Sequence, residues 1–140
     1  MQQNVILTIQ GKQYYGEGEP EVIELITEGV LEQRPEGWYI AYEESPLTGM
    51  EGVTTVFEIY PQRIVLSRSG ALQSQMVFQL GVPHASLYQM EFGALMISIC
   101  AQKVSYDLSD NGGTVDLCYS IDIENSGGGT VEYHLDVQVK

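Results

Sequence analysis

The sequence predicts an all-β protein built as a closed, antiparallel, up-and-down barrel of about ten strands. Two observations carry this: nearly every segment alternates apolar and polar residues with period two, and Gly, Pro, Asn and Ser clusters punctuate the segments at short intervals. A third is negative, since no stretch sustains the i, i+3, i+4, i+7 spacing of an amphipathic helix.

The first strand is expected over residues 4–10. Segments 21–34, 37–44, 52–59, 62–68 and 73–80 follow, separated by Pro35-Glu36-Gly37, Ser45 to Gly52, Tyr60-Pro61 and Ser69-Gly70. The one long connection runs from Gly81 to Phe92, with room for a short irregular or helical piece. Strands at 93–101 and 103–108 come next, and Asp110-Asn111-Gly112-Gly113 turns the chain into 114–124. The last strand alternates most cleanly: Val131, Tyr133, Leu135, Val137 and Val139 oppose Glu132, His134, Asp136 and Gln138. Asn125 to Gly129 forms the preceding hairpin turn. Ten such strands must split into a sandwich or close on themselves, and consecutive short hairpins favour closure.

The 140 residues show no break in composition and no repeat, so a single domain, 1–140, is expected. Six basic against 19 acidic side chains leave a net charge of −13. Nucleic acid and anionic membrane surfaces are therefore unfavourable partners, because both are bound through Lys and Arg. Acid is concentrated between Glu17 and Glu51 and again from Asp107 to Asp136, while 59–106 holds only Glu91 against Arg63, Arg68 and Lys103. The N-terminal segment has neither the basic lead of a secretory signal nor the length of a spanning helix, so a cytoplasmic location is expected. Cys100 and Cys118 read as free thiols, on strands held apart by the one at 103–108.

The ordered series Ile23-Glu-Leu-Ile-Thr-Glu-Gly29, Tyr42-Glu-Glu-Ser45, Thr48-Gly49, Thr54-Thr55, Arg68-Ser-Gly70, Met76-Val-Phe78, Tyr88 and Phe92-Gly93 resembles the YwiB-like family of small uncharacterised proteins of Gram-positive bacteria. The resemblance runs over nearly the whole chain. It implies a calycin-like barrel, similar to lipocalins and fatty-acid-binding proteins, and it implies no activity.

Side-chain parity locates the chemistry. Trp38, Ile40, Tyr42 and Glu44 share one face, which turns Glu44 inward and Glu43 to water. The same argument turns Thr55 inward with Val53, Phe57 and Ile59, and Arg68 inward with Ile64 and Leu66. In a meander these three strands are neighbours, so Glu44, Thr55 and Arg68 converge on one rim, with the backbones of Glu44 and Arg68 roughly 10 Å apart. An ion pair closing the barrel end and an anion site are the two readings of such a set. Nine tyrosines against three phenylalanines suggest a partly polar interior, and Tyr42, Tyr106, Tyr119 and Tyr133 all share the parity of apolar neighbours. Of these, Tyr42 and Tyr119 join Arg68, Glu44 and Thr55 as candidate ligand-binding residues.

No catalytic residue, cofactor fingerprint or metal-ligand set is assigned. His84, in the long connection, is the one histidine placed to act as an acid or base, and His134 is expected at the surface. The glycines at 127–129 and at Gly16 and Gly18 read as turns. The expected function is a small non-enzymatic barrel holding a small hydrophobic or anionic molecule in its interior or at one rim. The alternatives are a filled barrel that binds a basic partner or a second copy through its acidic surface, and an enzyme using Glu44 and Arg68.

Overall fold

The computed structural model describes residues 2–14, 18–44, 51–90, 93–124 and 127–140. Gly16, Ser45, Thr48, Gly49, Phe92, Asn125 and Ser126, on which some expectations rested, lie outside the described residues. Ten strands form one sheet: β1 (Gln2–Tyr14), β2 (Glu21–Arg34), β3 (Gly37–Glu43), β4 (Val53–Tyr60), β5 (Arg63–Gly70), β6 (Ser74–Phe78), β7 (Pro83–Met90), β8 (Gly93–Ser109), β9 (Gly112–Ile123) and β10 (Gly127–Val139). Their order is β6-β5-β4-β3-β2-β1-β10-β9-β8-β7 and every ladder is antiparallel. The sheet is a meander in which the two terminal strands pair along their length, from Val5–Val139 to Tyr14–Thr130.

The sheet curls until β6 meets β7, and there the barrel closes only in part. Gln73 and Gln89 exchange two backbone hydrogen bonds of 2.9 and 2.8 Å, and the Gln79–Val82 turn joins the strands at the other end. Gly81 N–H donates to Ala101 O at 3.0 Å, hooking that turn onto β8. No ladder of residue pairs joins β6 to β7 between these points.

Two expectations about this region are corrected. Within the expected connection from Gly81 to Phe92, residues 83–90 are a strand and no irregular or helical piece: Pro83–Met90 forms β7 and pairs with β8. The expected strands at 93–101 and 103–108 are one strand, β8, with a bulge between Ala101 and Lys103. The extra residue, Gln102, explains the misreading. It flips the alternation from Ile97, Ile99 and Ala101 to Val104, Tyr106 and Leu108, and a phase flip on one strand looks like a break between two. Cys100 and Cys118 consequently sit on adjacent strands, β8 and β9. They remain free thiols, but by register and not by strand separation: Cys100 faces Ser120, and Cys118 faces Lys103.

Inward-facing residues of all ten strands build the interior. Val5, Leu7, Leu31, Ile40, Phe57, Ile59, Ile64, Phe78, Val115 and Leu135 are fully or almost fully buried and form its packed half. Burying each such side chain contributes about 1.5–3 kcal/mol. Two glycines matter to this geometry. Gly112 enters β9 with φ +101°, and an added Cβ there would lie 2.2 Å from Val137 O. Gly29, opposite Tyr42 on β3, has no room for one either, since it would fall 2.5 Å from Ala41 O and 2.8 Å from a Leu7 methyl.

Gly29→Ala should therefore destabilise the barrel by about 1–3 kcal/mol in urea melts. Gly11→Ala, where an added Cβ meets nothing within 4 Å, should be neutral or stabilising by up to about 1 kcal/mol. Equal effects would show that Gly29 does not set the approach of β2 to β3.

Candidate functional site

Strand register brings a row of inward residues to one level: Tyr42 on β3 faces Thr55 on β4, Thr55 faces Arg68 on β5, and Arg68 faces Ser74 on β6. Glu44 follows directly on β3, its N–H donating to Val53 O at 2.8 Å, so its carboxylate turns over this row. The side chain of Glu44 is 2% exposed and that of Arg68 13%. Parity alone places them there, as the sequence predicts, and Glu43 faces outward.

The Glu44 carboxylate is the hub. Thr55 Oγ1 donates to its Oε2 at 2.5 Å, the Tyr42 hydroxyl also donates to it, and Arg68 Nε lies 3.9 Å from Oε2. From β10, Tyr133 reaches across the interior, its hydroxyl 3.2 Å from that of Tyr42 and its ring 5.7 Å from that of Phe57. A hydrogen-bonded chain thus crosses the barrel from Tyr133 through Tyr42 to Glu44. Burial, reinforced by the negative charge of Glu44, pushes the Tyr42 hydroxyl up to about 12. Burial likewise raises Tyr133 well above the ordinary tyrosine value, with Tyr42 adding to the effect.

This polar layer divides the interior. On one side lies the packed core around Phe57, Phe78 and Ile40; on the other is a cavity of about 380 Å³. Tyr42, Glu44, Arg68 and Tyr133 line the cavity's polar part, and Leu25, Ile97, Ile121 and Val131 are among its apolar walls. Tyr119 contributes from β9, with its ring 4.7 Å from Phe78. All five expected site residues therefore belong to one region: Glu44, Thr55, Arg68 and Tyr42 make the polar layer, and Tyr119 joins through the cavity wall.

Tyr133 is identified from sequence only as one of four interior tyrosines. Its partnership with Tyr42 depends on a contact across the barrel that no local pattern encodes. Ser74 is missed entirely, because its place beside Arg68 follows from the β5–β6 register. The histidines belong elsewhere. His84 is on β7, at the β6–β7 seam, with Nε2 3.4 Å from Gln79 Oε1. His134 is half-buried on the outer face between Asp116 at 2.5 Å and Asp136 at 3.4 Å; the Asp116 hydrogen bond, above all, raises its pKa. Among the described residues no group of three or more His, Cys, Asp or Glu side chains is arranged to hold a metal ion.

Glu44→Gln removes the carboxylate facing a buried guanidinium and should cost about 3 kcal/mol, against less than about 0.5 kcal/mol for Glu43→Gln. Denaturant melts compare them; equal, small effects would place Glu44 in water. Alkaline titration reads the tyrosines. A hydroxyl whose folded pKa is raised stabilises the fold below pH 10, the unfolded value, and that contribution fades as pH climbs toward 12. Tyrosinate absorbance should thus show a late phase near pH 12, and Tyr42→Phe should shrink it. A Tyr42→Phe profile identical to wild type would contradict the burial of that hydroxyl.

The fold and part of the sequence have known counterparts. An uncharacterised β-barrel protein of Bacillus subtilis strain 168, YwiB, is 26% identical over 124 residues, covering 88% of this chain and 86% of that one. The crystal structure of the B. subtilis ywiB protein superposes with a TM-score of 0.81 at 21% identity, covering 96% of this chain and 92% of its own, which supports the barrel architecture. The model of the domain of unknown function DUF1934 matches residues 7–137. The chain belongs to the DUF1934 family.

Proposed function

We propose that this protein is a non-enzymatic binding barrel that holds one small, mainly apolar molecule in its interior. The observation that supports this best is the half-hollow interior: a largely apolar cavity of about 380 Å³ ending on the layer of Glu44, Arg68, Tyr42 and Tyr133. That volume is within the range of about 300–1,000 Å³ typical of small-molecule sites, and apolar walls with a few convergent polar groups are their usual composition. A barrel acting only as a scaffold would have no need to leave this half unpacked, because filling it would add stability.

The disposition of Glu44 supports binding over catalysis. Its carboxylate is buried and occupied by Thr55 and Tyr42, with Arg68 beside it, which suits a fixed structural charge better than a group exchanging protons with a substrate. In this reading the protein works in the cytosol, where its two thiols stay reduced.

Native mass spectrometry of protein purified from its own host should show a retained small mass. Gly11 lies on the cavity wall with open space before it, so Gly11→Leu should fill the cavity, leave the fold intact and lose that mass. A wild-type protein that carries no added mass and binds no neutral apolar fluorophore would refute the proposal.

A further inference from the structure

Past the bulge at Gln102, β8 loses the strand on its β7 side. The β7 ladder reaches only Cys100, opposite Pro83, and the last backbone hydrogen bond on that side runs from Gly81 N–H to Ala101 O. Among the described residues, 103–109 pair with β9 alone, and the turns at this end of the barrel, at 35–36, 61–62, 79–82 and 110–111, are all described. Ser109 and Gly112 close a two-residue turn, and such a hairpin closes on a hydrogen-bonded pair. Alternation from that pair turns the N–H and C=O groups of Ser105 and Asp107 to β9, and those of Val104, Tyr106 and Leu108 to the open side. The side chains of these last three are apolar, half-buried and packed inward against the core. Neither a proline nor an inward charge, two devices that keep an edge from adding a strand, lies on 103–109.

Charge decides what can pair there. At −13, two copies of this chain repel each other over most of their surface, so a contact between them needs a balanced segment. Residues 103–109 hold one base, Lys103, and one acid, Asp107. Antiparallel pairing of this segment with itself about Tyr106 sets Val104 opposite Leu108 of the second copy and Tyr106 opposite its counterpart, in one apolar row. On the other face Lys103 meets Ser109 of the second copy, with Asp107 and Asp110 of that copy beside it. The two neighbouring in-phase registers are worse: one drives Ser109 into the Gly81–Ala101 contact, and the other sets Asp107 against Asp107. The chosen register also brings the second copy's Asp110–Asn111 turn beside Leu80, which is bridged to Ala101 and 62% exposed.

We propose that residues 103–109 of β8 are a self-association edge, through which two copies pair antiparallel about a two-fold axis at Tyr106. The contact is isologous, so it closes as a dimer and leaves no edge for further addition. It lies on the barrel wall and is independent of what the cavity holds. One strand pair buries less than the roughly 1,200 Å² of a standard stable interface, so the dimer should dissociate at about 10–100 μM.

Sedimentation equilibrium of the full chain from about 5 to about 500 μM, at about 0.15 M salt, tests it. A monomer–dimer equilibrium is expected, with backbone amide exchange at Val104, Tyr106 and Leu108 slowing as concentration rises. Val104→Pro, which removes a donor that β9 does not use, should weaken dimerisation about tenfold. Lys103→Glu, an exposed change, should also weaken it about tenfold, and adding Asp107→Lys should restore most of that loss, a recovery that a purely structural effect would not give. A chain that stays monomeric throughout overturns the proposal, and so does a dimer indifferent to both substitutions, which would pair elsewhere. Amides at the three positions already protected at the lowest concentration would show the edge covered by its own chain, and would overturn it as well.

Discussion

A carboxylate buried inside an otherwise apolar barrel is the constraint around which this structure is arranged. Glu44 cannot be left unpaired at 2% side-chain exposure, because an isolated buried charge costs far more than a domain of this size can spare. Thr55, Tyr42 and Arg68 answer it from three successive strands, and Tyr133 ties Tyr42 to the far wall. Their convergence requires the β3–β4–β5 register to be what it is. A slip of one residue in any of these ladders would turn Thr55 or Arg68 out to solvent and strand the carboxylate. The polar layer thus acts as a register lock, and Gly29 supports it by letting Tyr42 lie close against β2.

The same layer explains why the interior is neither solid nor empty. Below it, Phe57, Phe78, Ile40 and their neighbours pack as an ordinary core. Above it, side chains that would fill the barrel are absent: Gly11 faces inward where a large residue would fit, and Val131, Ile121 and Leu25 line the space without closing it. The incomplete β6–β7 seam lies beside this cavity, with Met76 lining both the interior space and the cleft of about 230 Å³ at the seam.

Much of this was legible in the sequence because period-two alternation fixes which face a residue occupies without knowledge of the fold. Glu44, Thr55 and Arg68 are placed inward by parity, and hairpin connectivity alone makes their strands neighbours. What escaped were features set by partners distant in sequence or by a change of phase. The Gln102 bulge made one strand look like two, and β7 was hidden because Pro83, His84 and Ser86 break the apolar pattern over 81–92. The two errors offset each other, so the expected number of strands agrees with the structure although the topology around β7 and β8 does not. Tyr133 and Ser74 needed cross-barrel geometry and β5–β6 register, and neither is a local property of the chain.

The central claim is that Glu44 and Arg68 stabilise each other inside the barrel and anchor the layer on which the cavity ends. A double-mutant cycle on folding stability, with Glu44→Gln, Arg68→Met and the combined variant, measures this coupling directly. The account predicts that the double variant is less destabilised than the sum of the single ones by about 2 kcal/mol, because each single change leaves one buried charge without its partner. Additive effects, with coupling below about 0.5 kcal/mol, would contradict it and show that the two side chains are stabilised independently.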